Sequence, residues 1–342
     1  MMKPAIDAAR APMKKKKPDK SVLIKGIEQG DRFILSRAIT LAESSKKSDQ
    51  VLSQEVLKHF GDQGQNSVRI GITGVPGVGK STFIEAFGEL LADKGLRVAV
   101  LAVDPSSQVT KGSIMGDKTR MEKLANHPNA YVRPSASGSS MGGVARKTRE
   151  AMLLCEAAGY NIIIVETVGV GQSETAVKDM VDFFLLLMLA GAGDELQGIK
   201  KGIMEMADCL AINKADGENR TAAERAKREY SNALHYFRQE EFGWHCKVLT
   251  CSSISKQGLE PIWQAVEKFV EIRKTNGYFT ENRKQQRLKW MHESIKSELL
   301  TRFYENEIVK QMSREKESKV MQGELPAYFA ANELIEVFEK DK

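Results

Sequence analysis

The sequence predicts an α/β fold, a mostly parallel sheet with helices on both faces and helical extensions at its N- and C-terminal ends. Three observations predict it. Seven short apolar runs, at residues 68–73, 97–103, 130–132, 162–165, 183–189, 209–213 and 247–250, alternate with helical stretches. Apolar runs without polar alternation mark strands buried on both faces, as in parallel sheets. The run Gly74-Val75-Pro76-Gly77-Val78-Gly79-Lys80-Ser81 follows the first strand directly and leads into a helical stretch over residues 81–91. It matches G-x-x-x-x-G-K-[ST], a loop whose backbone N–H groups wrap phosphate oxygens. Finally, the segments that flank residues 67–276 carry helical rather than strand spacing. The fold class is therefore that of a P-loop NTPase.

Taken in order, residues 1–20 read as a disordered basic tail, with Lys14 to Lys17 in succession. Residues 21–66 form an N-terminal helical extension, in which Ile24, Ile27, Ile34, Ala38 and Leu41 recur at helical spacing. Gly61-Asp62-Gln63-Gly64-Gln65-Asn66 is a linker. Residues 67–276 hold the nucleotide-binding domain. Its most apolar run, 183–190, is far short of the ~20 residues that span a bilayer, so it reads as a central strand. Residues 277–342 are highly charged, with a helical stripe of Leu288, Met291, Ile295 and Leu299. That stripe predicts a helical arm packed on the core or on a second subunit.

Composition is globular, 42% hydrophobic and 28% charged, and the net charge of +6 is spread along the chain. This argues little for nucleic-acid binding, and a nucleotide site also prefers a positive bias; no nucleic-acid or membrane partner is expected. The four cysteines, Cys155, Cys209, Cys246 and Cys251, have no C-x-x-C spacing, and the five histidines form no tract. Disulfides and a structural zinc site are not expected, and a cytoplasmic location is.

Around the phosphate loop stands a second set of residues. Lys80 reaches the β- and γ-phosphates; the Ser81 hydroxyl binds Mg²⁺, and Thr82 closes the loop. Asp104 follows the second strand directly, where ligands bind in open α/β sheets. It is a candidate Mg²⁺ ligand, the alternative being a strand-end cap. Asp117, in a polar loop over residues 110–119, is a second metal-side candidate, the alternative being an exposed loop acid. Glu166 ends the apolar run from Ile162, and Gly169 stands three residues on. An acid there serves the Mg²⁺ shell, and the glycine N–H donates to a γ-phosphate. Lys80, Asp117, Glu166 and Gly169 are the expected catalytic set. Where Ras-like GTPases place a water-orienting Gln after that glycine, this chain has Val170, with Gln172 two residues later. Slow intrinsic hydrolysis is expected.

Asn213-Lys214-Ala215-Asp216 follows the apolar run ending at Ile212. This N-K-x-D selects guanine, because its carboxylate accepts from N1–H and the 2-amino group, donors that adenine lacks. Ser252 and Ser253, just past the last strand, suit the remaining base-contacting loop, the alternative being a strand-end turn. GTP or GDP with Mg²⁺ is the expected ligand. A glycine-rich polar loop, 191–202, follows the most apolar strand and reads as functional rather than a plain connector.

Together the runs GVPGVGKST, VLAVDPSS, ETVGVGQSE, GAGDELQGIKKGI and NKAD resemble, in this order, the GTPases associated with methylmalonyl-CoA mutase, the MeaB/ArgK type. The resemblance covers roughly residue 30 to the C-terminus. It implies a homodimeric GTPase with a C-terminal dimerisation arm. It implies a partner too, adenosylcobalamin-dependent methylmalonyl-CoA mutase or a related acyl-CoA mutase, whose cofactor loading the GTPase gates and which it protects. It places Asp194, Gln197 and Lys200 in a switch loop that couples nucleotide state to that mutase. Nickel-inserting relatives share the core but carry His-rich tracts or paired cysteines, which this chain lacks. An ATP-driven kinase or transport ATPase is the alternative from another class.

Overall fold

The structure, a computed structural model, describes residues 18–61, 66–103, 121–133, 141–167, 173–191, 201–237 and 243–341. The basic tail therefore lies almost wholly outside the described residues, as do Asp104, Asp117, Gly169, Val170, Gln172, Asp194, Gln197 and Lys200.

Seven strands form one sheet: β1 (Val68–Gly74), β2 (Val98–Val103), β3 (Ala130–Arg133), β4 (Ile162–Thr167), β5 (Phe183–Leu189), β6 (Cys209–Asn213) and β7 (Lys247–Thr250). Their order is β3-β2-β4-β1-β5-β6-β7, and every described pairing is parallel. The phosphate-loop strand β1 thus sits at the centre, between β4 and β5. In register, Ile72 faces Glu166 on one side and Leu185 on the other.

Helices α1 (Lys20–Glu28), α2 (Arg32–Glu43) and α3 (Lys47–Phe60) precede the sheet. The Asp31 side chain caps α2 by accepting from Phe33 N and Ile34 N at 2.8 and 3.1 Å. Next come α4 (Lys80–Asp93), α5 (Glu122–Asn126), α6 (Met141–Ala157), α7 (Ser173–Lys178), α8 (Lys201–Met206), α9 (Arg220–Phe237) and α10 (Leu259–Thr275). Three apolar clusters fill the layers. Phe83 and Phe87 of α4 and Trp263 and Phe269 of α10 pack on one face of the sheet, with Phe183 and Trp244. On the other face α1 to α3, α6 and the residues around α7 cover β2 and β4. A third cluster joins α8 and α9 to β5 and β6.

The C-terminal arm is α11 (Tyr278–Glu305), α12 (Glu307–Met321) and α13 (Ala327–Lys340). Its root is pinned by buried charge. Arg283, 4% exposed, donates from Nε and Nη2 to the two oxygens of Asp182 at 2.8 and 2.6 Å, and from Nη2 to Ser67 O at 2.9 Å. Asp182 also accepts from Arg69 N at 2.8 Å. The Arg69 guanidinium makes a bidentate pair with Glu156, both bonds 2.8 Å. Ser67 and Asp182 immediately precede β1 and β5, so this cluster lies at the amino edge of the sheet. Farther along α11, Leu288, Met291, Ile295 and Leu299 are each about half exposed. The predicted stripe exists, and it faces away from the core.

Removing one partner of a buried ion pair strands the other. Arg283→Met is expected to cost about 3 kcal/mol of stability, read as a lower urea midpoint, whereas the double variant Arg283→Met with Asp182→Leu should recover part of that loss, the rest being the Arg69 N–H left without its acceptor. Equal losses in the two variants would refute the role of the pair.

Candidate nucleotide site

The site is built where β1, β4, β6 and β7 end. Left-handed backbone at Gly77 and Gly79, φ 77° and 86°, turns the loop after β1, and α4 starts at Lys80. Only glycine adopts that conformation without strain. Lys80 Nζ donates to Gly74 O at 2.9 Å. Burial lowers the Lys80 pKa below the ordinary lysine range, and the carboxylates of Glu166 and then Glu174 pull it back up. Next to it, Ser81 Oγ donates to Glu166 Oε1 at 3.3 Å. The two strands are tied behind this pair by the buried Thr167 hydroxyl, which donates to Thr73 Oγ1 at 2.7 Å. Pro76, Gly77 and Thr82 are exposed, Val78 is buried, and Val75 is half-buried at the rim of the core.

Asn213 joins this half to the base-loop half. Its Nδ2 donates to Val78 O at 2.9 Å. Its Oδ1 accepts from Ser253 N at 3.2 Å, Ser253 Oγ at 2.9 Å and the Cys251 thiol at 3.7 Å. Lys214 Nζ donates to Gly77 O at 2.9 Å, so two successive side chains hold the phosphate loop. Ser252 Oγ donates to Asp216 Oδ2 at 2.9 Å and accepts from Ser255 N at 3.1 Å. The structure therefore brings together Gly74, Val75, Pro76, Gly77, Val78, Gly79, Lys80, Ser81, Thr82, Glu166, Asn213, Lys214, Asp216, Ser252 and Ser253. A loop of N–H groups, a lysine, a hydroxyl–carboxylate pair and an oriented aspartate can together take a nucleotide's phosphates, a hard cation and a base.

Known proteins resemble this chain over most of its length. Residues 35–308 match the family described as Methylmalonyl Co-A mutase-associated GTPase MeaB. A putative GTPase of Caulobacter vibrioides is 51% identical over 309 residues, covering 90% of this chain and 94% of that protein. The mitochondrial methylmalonic aciduria type A homolog of Mus musculus is 43% identical, covering 92% of this chain and 79% of its own. A crystal structure of a LAO/AO transport system kinase superposes with a TM-score of 0.73 at 40% identity, covering 95% of this chain and 99% of that one. The chain belongs to the MeaB family. It is a P-loop GTPase, and guanine nucleotide is the ligand that the family implies.

In this MeaB-family GTPase the structure adds one residue that sequence reasoning did not single out. Glu174 lies in the run ETVGVGQSE, in the first turn of α7, and is 2% exposed. Its position in the sequence does not show its burial. Nor does the N-K-x-D pattern show that Asn213 acts as a brace between loops.

Asn213→Ala would leave Val78 O and the Ser253 donors without their partner in a buried place. The expected loss is about 2 kcal/mol in urea denaturation, against about 1 kcal/mol for Ser253→Ala, which removes a single hydroxyl. Equal losses would contradict the bracing role of Asn213.

Proposed function

We propose that this GTPase is a molecular switch serving an adenosylcobalamin-dependent acyl-CoA mutase, methylmalonyl-CoA mutase or a relative of it. It gates cofactor loading and protects the mutase from inactivation. The observation that carries the reading is the brace of Asn213 between the phosphate and base loops, in a chain of this family. The names of the family and of the mouse relative point to the mutase.

In this reading Asp216 accepts from guanine N1–H and the 2-amino group, with Ser252 holding its carboxylate in place. Ser253 and Lys214 border the base. The backbone from Gly74 to Thr82 binds the phosphates with Lys80. Mg²⁺ fits the oxygen pair Ser81 and Glu166, with Asp104 and Asp117 as further ligands. When bound, it neutralises phosphate charge. Gly169 donates to the γ-phosphate. With Val170 beside it no Gln orients the water, so hydrolysis is slow alone and stimulated by the mutase. Asp194, Gln197 and Lys200 form the coupling loop. The half-exposed stripe on α11 supports a homodimer formed through the arm. The name of the similar kinase structure keeps an ATP-driven role as the second reading, and base preference separates the two.

Two measurements test this. In nucleotide competition the wild type should prefer GTP to ATP, and Asp216→Asn should move preference toward xanthosine triphosphate by about a hundredfold or more. Equal binding of ATP and GTP by the wild type would remove the base assignment.

GTP hydrolysis should accelerate when the cognate mutase is added. Gln197→Ala and Lys200→Ala should each cut the stimulated rate at least about tenfold while the unstimulated rate stays near wild type. No stimulation of the wild type, or normal stimulation of both variants, would refute the coupling role.

A further inference from the structure

Two neighbouring cavities follow the seam between α6 and α11, and no residue of the nucleotide site lines either of them. The inner one holds about 20 Å³, and Arg69, Arg149, Met152, Asp179, Gln286 and Trp290 are among its walls. The outer one holds about 620 Å³, between Arg146 and Arg149 of α6 and Trp290, Glu293, Leu300 and Tyr304 of α11. Arg149 and Trp290 stand in the wall of both. A few hundred Å³ or more is the size of a small-molecule site.

Three polar groups on this seam have hydrogen-bonding capacity to spare. Arg149 is 6% exposed, and among the described residues its guanidinium has one acceptor, Glu293 Oε2, 2.5 Å from Nη1. Its other N–H groups are left for the cavities it lines. Trp290 Nε1 and Gln286 Oε1 are buried and have no hydrogen-bond partner. Gln286 Nε2 is spent on Val181 O at 2.8 Å, which fixes which end of the amide is the unpaired one. A donor and an acceptor one turn apart on α11, both facing a space of about 20 Å³, suit a single bridging water. Charge is unbalanced in the outer cavity. Arg146, Arg149 and Lys296 line it against Glu293 and Glu305, which leaves one positive charge. Trp290, Leu300 and Tyr304 give it an apolar wall, with Leu300 58% and Tyr304 64% exposed.

We propose that the outer cavity is a binding site for a small amphipathic monocarboxylate. Its carboxylate lies on the Arg149 guanidinium and its apolar body along Trp290, Leu300 and Tyr304, above one water held between Trp290 Nε1 and Gln286 Oε1. The planar fork of a guanidinium matches the two oxygens of a carboxylate. One negative charge balances the walls. A dianion is repelled by Glu293 beside Arg149, and a cation by Arg146, Arg149 and Lys296. Burying an alkyl or aryl body on the apolar wall supplies the rest of the affinity. A second copy of the chain is not the occupant. At 3.6 residues per turn, Trp290, Glu293, Ser297 and Tyr304 stand on the side of α11 roughly opposite Leu288, Met291, Ile295 and Leu299. Contact between copies through that stripe leaves the cavity open.

The probe is octanoate, with octanamide and octylamine as its neutral and cationic counterparts, titrated by calorimetry into the full chain. Octanoate should bind once per chain with a dissociation constant of about millimolar or tighter. Octanamide should bind at least about tenfold more weakly, and octylamine more weakly still. Arg149→Met should weaken octanoate binding about tenfold or more. Leu300→Asp places a carboxylate in the cavity wall at an exposed position, so it should abolish octanoate binding and leave the thermal midpoint unchanged. This second variant decides the matter should Arg149→Met fail to fold. Trp290 is one of three tryptophans, and the change in emission that octanoate causes should vanish in Trp290→Phe. No saturable binding of octanoate by the wild type would overturn the proposal. So would equal binding of octanoate and octanamide, or wild-type affinity in Leu300→Asp.

Discussion

Six parallel pairings hold the seven strands in one direction, so β1, β4, β6 and β7 all leave the sheet at the same edge. Everything at the site depends on that. The phosphate loop leaves β1, Glu166 sits one residue before the end of β4, Asn213 ends β6, and Cys251 to Ser253 follow β7. These residues are spread over some 180 positions of sequence, and only a common strand direction can make them neighbours. Because β1 is central, its loop has Glu166 on one side and the β6 residues on the other, across β5. An edge position would offer one of these neighbours only.

Within that frame the chain accepts local strain to make the brace. Lys214 has φ 59°, a left-handed conformation that a residue with a Cβ adopts at a cost of about 1 kcal/mol or more. The turn directs Asn213 and Lys214 alike at the phosphate loop, on Val78 O and Gly77 O. Asn219 Nδ2 offsets part of the cost by donating to Lys214 O at 2.7 Å. The base loop is rigid for a related reason. Asn213 Oδ1 takes three donors from residues 251 and 253, so the phosphate and base loops are fixed relative to one another. A site that must recognise two ends of one ligand gains from such preorganisation.

Much of this was legible in the sequence, and the reason is locality. Strand runs such as 183–189 need only to be apolar on both faces, and that shows in seven consecutive letters. The phosphate loop is a single continuous motif, so glycines, lysine and serine reveal it without tertiary information. What could not be read is contact across distance. Arg283 and Asp182 lie 101 residues apart, and neither stands out in a chain that is 28% charged. Glu174 looks like any acid in the first turn of a helix; that it is buried shows only in the fold. The stripe on α11 was visible as periodicity, but periodicity could not say whether the core or another surface covers it.

The two edges of the sheet divide the work, and the buried charge at the amino edge is better understood as a locator than as a source of stability. A well-packed apolar root for α11 could give as much stability, since desolvating Arg283 and Asp182 consumes much of what their attraction returns. An apolar root, however, tolerates sliding and rotation of a long helix. A bidentate guanidinium on a carboxylate that is itself held by Arg69 N does not, because a shift of one residue leaves both charges buried and unpaired. Gln286 on Val181 O and Lys289 on Asp179 extend the same register along the helix. The direction in which the arm leaves the core is thus fixed by polar geometry, much of it on residues 179–182.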